Sequence, residues 1–176
     1  MISEVIKVDI PRNSQIFHGF GEAHYNDAYQ VDLSIPPTPS PQIALLFFKS
    51  FPPSFILLLK LRENLAKLVG LKNAKGQDLK AELQVFTGAR GESIGLFHVI
   101  ENHKNELIMG ERDRHLDFRI GFHIQERPGG YKLSLITLVR FNHWSGRAYF
   151  FPVGRIHRWF MPRILRQMAT KLEESA

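Results

Sequence analysis

From His115 to Gln125 the chain alternates without a break. Leu116, Phe118, Ile120, Phe122 and Ile124 fall on one side, and His115, Asp117, Arg119, His123 and Gln125 on the other. A period of two belongs to a strand, so the two sets must stand on opposite faces of a sheet. The flanking sequence supplies neighbours for that strand. Runs at 82–87, 93–101, 106–112 and 131–142 are strand-like, and the turn-forming stretches GARGE, NHKN and RPGG separate most of them. Connections this short predict an antiparallel meander.

Upstream, residues 4–10 read as a short extended lead stopped by Pro11. Residues 24–33 read as a strand carrying Tyr25, Tyr29, Val31 and Leu33. The block IPPTPSPQ then breaks any ladder, because proline has no backbone hydrogen to give. Ser40-Pro41 is a helix start, with serine at the cap and proline in the first helical position. A second start at Pro52-Pro53-Ser54 opens an amphipathic run in which Phe55, Leu58, Leu59, Arg62, Leu65, Ala66 and Val69 share a stripe that Gly70 ends. The last element runs from about Ser145 to Leu172, with Ile156, Phe160, Ile164, Met168 and Leu172 at every fourth place. An interior proline costs a helix about 3 kcal/mol. The regular helix is therefore expected to begin near Pro152 and to bend at Pro162.

The fold class expected is α+β, in one domain over residues 1–176, a length that buries a core without staples. The absence of cysteine excludes disulfides, thiolate zinc sites and a thiol nucleophile. No basic lead followed by an apolar run marks a signal peptide, and the most apolar stretch, 55–61, is too short to span a bilayer. A soluble, cytoplasmic protein is expected. The net charge of +6 is local: Arg147, Arg155, Arg158, Arg163, Arg166 and Lys171 lie in the last element with no acid among them. Such a face is a solvated helix side, a contact for an anionic membrane through Trp159, Phe160 and Met161, or a contact for nucleic-acid phosphates. No nucleic-acid motif accompanies the charge, so nucleic acid is not an expected partner. The apolar stripe, needed to cover the sheet, is not available to lipid.

A strand, two helices, several antiparallel strands and a long terminal helix resemble the helix-grip fold of the START and Bet v 1 superfamily. That resemblance implies a curved antiparallel sheet of about six strands wrapped on the C-terminal helix, often with a cavity for an apolar ligand. Four motifs are more specific. Ala23, Tyr25 and Asp27 come first. Pro53, Leu61, Arg62, Leu65, Gly70, Leu71 and Lys72 follow. Gly110, Asp113, His115, Leu116, Asp117, Phe118 and Arg119 form the third, and Asn142 or His143 with Gly146, Arg147, Tyr149, His157 and Arg158 the fourth. In this order they resemble the bacterial family catalogued as domain of unknown function 2867, whose membership implies the helix-grip fold and no established activity.

The candidate site begins with His115, Asp117 and Arg119. An aspartate between a histidine and an arginine on one strand face orients the imidazole, while the guanidinium holds a carboxylate or phosphate. The competing reading is a solvated outer face with an ion pair from Asp117 to Arg140 on the next strand, worth about 0–1 kcal/mol. No HExxH or close histidine pair suggests a metal, no G-x-S-x-G elbow a serine nucleophile, and GARGE lacks the lysine of a phosphate loop. No cofactor is implied. Thirteen aromatic residues on the expected helices and strands, among them Phe47, Phe122, Phe150 and Trp159, suit either a packed core or an apolar pocket. The first functional expectation is binding of a small, mostly apolar molecule between sheet and terminal helix, with polar contacts from His115, Asp117, Arg119, Tyr149 and His157. The second is acid–base catalysis on the same scaffold, with His115 or His157 carrying the proton and Asp117 orienting it. The third is a non-catalytic or homo-oligomeric interaction protein whose basic helix meets an acidic partner or a membrane surface.

Overall fold

The computed structural model of the chain describes residues 4–34, 40–51 and 79–174. Its strands are β1 (Ile6–Val8), β2 (Tyr25–Leu33), β3 (Ser93–Ile94), β4 (Phe97–His103), β5 (Glu106–Arg112), β6 (Leu116–Arg127) and β7 (Gly130–Phe141). They form one antiparallel sheet in the order β1-β2-β7-β6-β5-β4-β3. The meander from β3 to β7 thus ends by laying β7 beside β2. Among the described residues three helices accompany it: α1 (Ser40–Lys49), α2 (Leu79–Val85) and the long α3 (Trp144–Glu174). The architecture is α+β, as the alternating and fourfold patterns require.

Four expectations are corrected. The run at 82–87 is not a strand, because most of it belongs to α2, whose Leu, Lys, Ala, Glu and Gln are good helix formers. The run at 93–101 is two strands, β3 and β4, split at a turn where Gly95 takes a φ of 60°. With β1 included the strands number seven rather than about six. Finally, α3 is helical from Trp144, two turns before Pro152. Pro152 is exposed and Pro162 only half-buried. The carbonyls of Ala148 and Arg158, four residues before them, lose their helical partner at exposed positions, where solvent has access to them. The amphipathic run at 53–70 lies outside the described residues.

The sheet is covered on both sides. On one face Tyr29, Val31 and Leu33 of β2, Ile120 and Phe122 of β6, and Leu133 and Leu135 of β7 join Ile43 and Phe47 of α1 and Phe160, Ile164, Leu165, Met168 and Leu172 of α3 in the main core. Phe47 meets Phe122 edge to face, 5.2 Å between ring centres. Each such side chain contributes about 1.5–3 kcal/mol by leaving water. On the other face the segment 11–23 crosses the strands as a strap. Its Ile16 and Phe20 close a second, smaller core with Ala28, Ile108, Ile136 and Leu138. Gly121 of β6 leaves the room for this, since a Cβ there would stand 2.9 Å from Ile16 Cδ1.

Where β7 turns into α3 the chain pivots on one carbonyl. The His115 oxygen accepts from the backbone N–H of Asn142 (2.9 Å) and of His143 (3.2 Å). Gly146 lies directly over it, and a Cβ there would come within 2.2 Å. Only glycine fits so close an approach.

Candidate functional site

The alternation of β6 is realised in the structure, but its polar face is neither wet nor turned toward the helices. Asp117, Arg119 and His123 are only 3%, 3% and 2% exposed, because the strap lies over them. Arg119 donates from Nη1 to the carbonyls of Ile16 (2.8 Å) and His18 (2.6 Å), and its guanidinium sits 5.2 Å from the centre of the Phe20 ring. Arg140 donates to the Phe20 carbonyl (2.6 Å) and pairs with Asp117. Glu106 accepts from the Ser14 hydroxyl (2.5 Å) and the Gln15 N–H (2.6 Å). The other oxygen of Asp117 accepts from Asn142 Nδ2 (2.8 Å) and the Asp113 N–H (3.2 Å). These groups therefore spend their hydrogen-bonding capacity on the strap and on the β7–α3 junction. The Asp117–Arg140 pair is present as expected, inside a clasp rather than on a solvated face.

His115 stands apart from them. Its Nδ1 lies 2.5 Å from Ser145 Oγ at the start of α3, and His143 Nδ1 lies 2.9 Å from the same hydroxyl. A hydroxyl has one proton, so it donates to one ring and accepts from the other.

The fifth candidate, His157, meets Asp27, a residue absent from the candidates expected from the sequence although the alternation of β2 carries a signal for it. Tyr25, Tyr29, Val31 and Leu33 point toward the helices, and the position between the two tyrosines is Asp27. An aspartate in an otherwise apolar row is the signal. Asp27 is 3% exposed. One of its oxygens lies 3.3 Å from His157 Nε2, and the other accepts from the Tyr25 hydroxyl. Burial pushes the Asp27 carboxyl up, but the hydrogen bond and charge of His157 and the Tyr25 hydroxyl outweigh it and hold the group below its usual range. Burial, then the bond to Asp27, keeps the Tyr25 phenol protonated well beyond its ordinary range.

The proton positions follow. An ionised carboxylate only accepts, so His157 presents Nε2–H to it, and the lone pair of a neutral ring sits on Nδ1. The His157 side chain keeps 15% exposure. Aromatic rings surround this relay: Phe150 lies 4.8 Å and the His157 ring 6.0 Å from the Tyr25 ring, and Phe141 lies 5.5 Å from Phe150. Tyr149 is half-buried on α3, two turns before His157. The five sequence candidates are thus divided: Asp117 and Arg119 under the strap, His115 at the helix start, and His157 with Tyr149 on α3.

A hollow of about 560 Å³ opens on the strap side, lined in part by Gln15, His18, Arg90, Glu101 and His103. Glu101 is its centre, bonded to His18 Nδ1 at 3.0 Å and His103 Nε2 at 2.8 Å. Among the described residues no three acidic or histidine side chains converge as a metal site would require.

Residues 20–164 match the family described as protein of unknown function DUF2867. The chain belongs to that family. No curated protein and no solved structure matches the chain. The matched span takes in the relay on β2 and α3, the whole meander and the clasp around Asp117. Two stretches that the sequence analysis singled out meet at that clasp: Asp113, His115, Asp117 and Arg119 from one, Asn142 and Gly146 from the other.

Proposed function

We propose that the protein binds a small, mostly apolar molecule where the first half of α3 crosses β2, with His157 as its polar anchor. The observation that carries this reading is the Tyr25–Asp27–His157 relay, a buried hydrogen-bonded chain on the helix side of the sheet. An isolated carboxylate in an apolar layer is costly to desolvate, and here its partners hold it ionised. Along α3 the apolar cover is uneven: from Phe160 onward every turn is buried, whereas before it only Ser145, Gly146 and Gly154 are. The relay, with Phe141, Phe150 and Tyr25 around it, lies in that thinner half. A single domain of helix-grip type accounts for the order of strand, helices, meander and long terminal helix, and such a domain places ligands between sheet and terminal helix.

Native mass spectrometry of freshly purified protein, paired with titration of an apolar fluorophore, tests the reading. A retained small molecule or saturable one-to-one fluorophore binding, weakened at least tenfold in His157→Ala, is expected. A bare mass together with no saturable binding would overturn it.

The dyad favours a second reading on the same site. With Asp27 fixing the Nε2–H tautomer, Nδ1 of His157 is a base able to take a proton from a bound molecule and return it. Chemical turnover would leave different small molecules in the wild type and in His157→Gln. Identical contents would confine the site to binding.

A further inference from the structure

The outer side of α3 carries a second chemistry that small-molecule binding does not use. Trp144, Phe151 and Trp159 are 72%, 67% and 53% exposed, and these two tryptophans are the only ones in the chain. Large rings are seldom left so far in water. At 100° per residue they fall on one side of the helix with Arg155, Arg163 and Arg166, all exposed, opposite the buried Phe160, Ile164, Met168 and Leu172, whereas Arg147 leans back over the Phe141 ring of the sheet, 6.0 Å from its centre. The expectation that the apolar stripe is consumed by the sheet therefore holds, and a separate set of aromatics remains outside it.

The arginines are arranged with the rings. Arg155 stacks over Phe151, 3.9 Å from its centre, and Arg163 over Trp159 at 3.8 Å. Each also donates to the backbone carbonyl of the residue beneath it, at 3.2 Å and 2.6 Å. The result is two aromatic–guanidinium plates eight residues apart, about 12 Å along the helix. No carboxylate occurs on α3 before Glu173. Among the described residues no ion pair joins these arginines to an acid.

The geometry points to an anionic phospholipid surface as the occupant of this face. Guanidinium groups pair with lipid phosphates in two-pronged fashion, and tryptophan rings settle at headgroup depth, where one edge is wet and the other apolar. Duplex nucleic acid would use the charge but would leave Trp144, Phe151 and Trp159 without an apolar environment. The helix lies along the membrane and does not enter it: no helix among the described residues is long and apolar enough to cross. The relay faces the sheet from the same helix, so bilayer contact would place that site next to the source of apolar molecules.

Both tryptophans report on this face, which makes the test direct. The full chain is mixed with phosphatidylcholine vesicles, with and without one third phosphatidylglycerol, at low salt, and followed by tryptophan emission and co-sedimentation. A blue shift and sedimentation with the anionic vesicles only are expected, both reversed by high salt. Arg155→Gln with Arg163→Gln should weaken partitioning about thirty-fold, two basic residues being removed from an anionic surface. Trp159→Ser should weaken it with the charge intact. These positions are exposed, and unchanged circular dichroism verifies that the variants are folded. Equal binding to neutral vesicles, no emission shift with anionic ones, or tight binding of RNA without vesicle binding would each overturn the proposal. So would tryptophans already shielded from acrylamide in a salt-insensitive dimer, since a second copy would then own the face.

Discussion

Two buried titratable side chains make different demands on the solvent. Asp27 is ionised in the fold with its carboxyl held below the ordinary range, so the unfolded chain takes the proton first as the pH falls. Its contribution to stability is present above about pH 4 and is lost as the pH drops through the depressed folded value. Asp27→Asn should therefore flatten the acid limb of a urea-unfolding series and lower stability at neutral pH by about 1–3 kcal/mol. An unchanged acid limb would remove Asp27 from that role. His123 acts at a higher pH. Burial pushes its imidazole down, against the pull of Glu106, and its Nδ1 has no partner among the described residues. The unfolded histidine takes a proton near pH 6.5 while the folded one resists, so stability is complete above that pH and declines below it. His123→Gln should reduce the loss of melting temperature between about pH 6.5 and 5, measured by calorimetry. Of these residues, Asp27 was legible as the polar member of an apolar row. The isolation of His123 was not, because the strap that buries it is far away in sequence.

At the scale of elements, the strap is where sequence reasoning reached its limit. The alternation of β6 correctly separated Phe118, Ile120 and Phe122 from Asp117 and Arg119, but an alternating strand implies one wet face. Residues 11–23 have no period, and their turns depend on Gly19 and Gly21 at positive φ. Nothing in such a stretch announces that it covers a sheet. The clasp that secures it makes a prediction: Arg119→Ala leaves the Ile16 and His18 carbonyls unpaired at about 1–3 kcal/mol each. Stability should fall accordingly, and limited proteolysis should cut within 11–23. Arg119→Lys should rescue poorly, since one ammonium replaces a planar fork. The start of α3 offers a second check. A methyl at Gly146 would strike the His115 carbonyl, so Gly146→Ala should destabilise by about 1–3 kcal/mol or more in thermal unfolding. The misplaced beginning of α3 has a related cause. The penalty for Pro152 presumes a helix whose lost bond is buried, and this proline faces outward.

For the whole molecule, the sheet edges are handled by brevity. β1 has three residues and β3 two, which leaves little unpaired backbone for another chain to extend. One interior pairing is a different matter. β2 pairs with β7 along nine positions, from Tyr25 opposite Val139 to Leu33 opposite Tyr131. Those partners are far apart in the sequence, with the meander strands between them, so no hairpin brings them together and the search must close a long loop. Folding should accordingly be slow for this size, in the millisecond-to-second range common to sheets built from distant pairings. Synthesis adds a delay of its own. At about 5–20 residues per second, β2 leaves the ribosome roughly 5–20 s before β7. Through that interval the apolar row interrupted by Asp27 has only the three residues of β1 beside it, and a newborn chain is then most open to chaperones or to clumping.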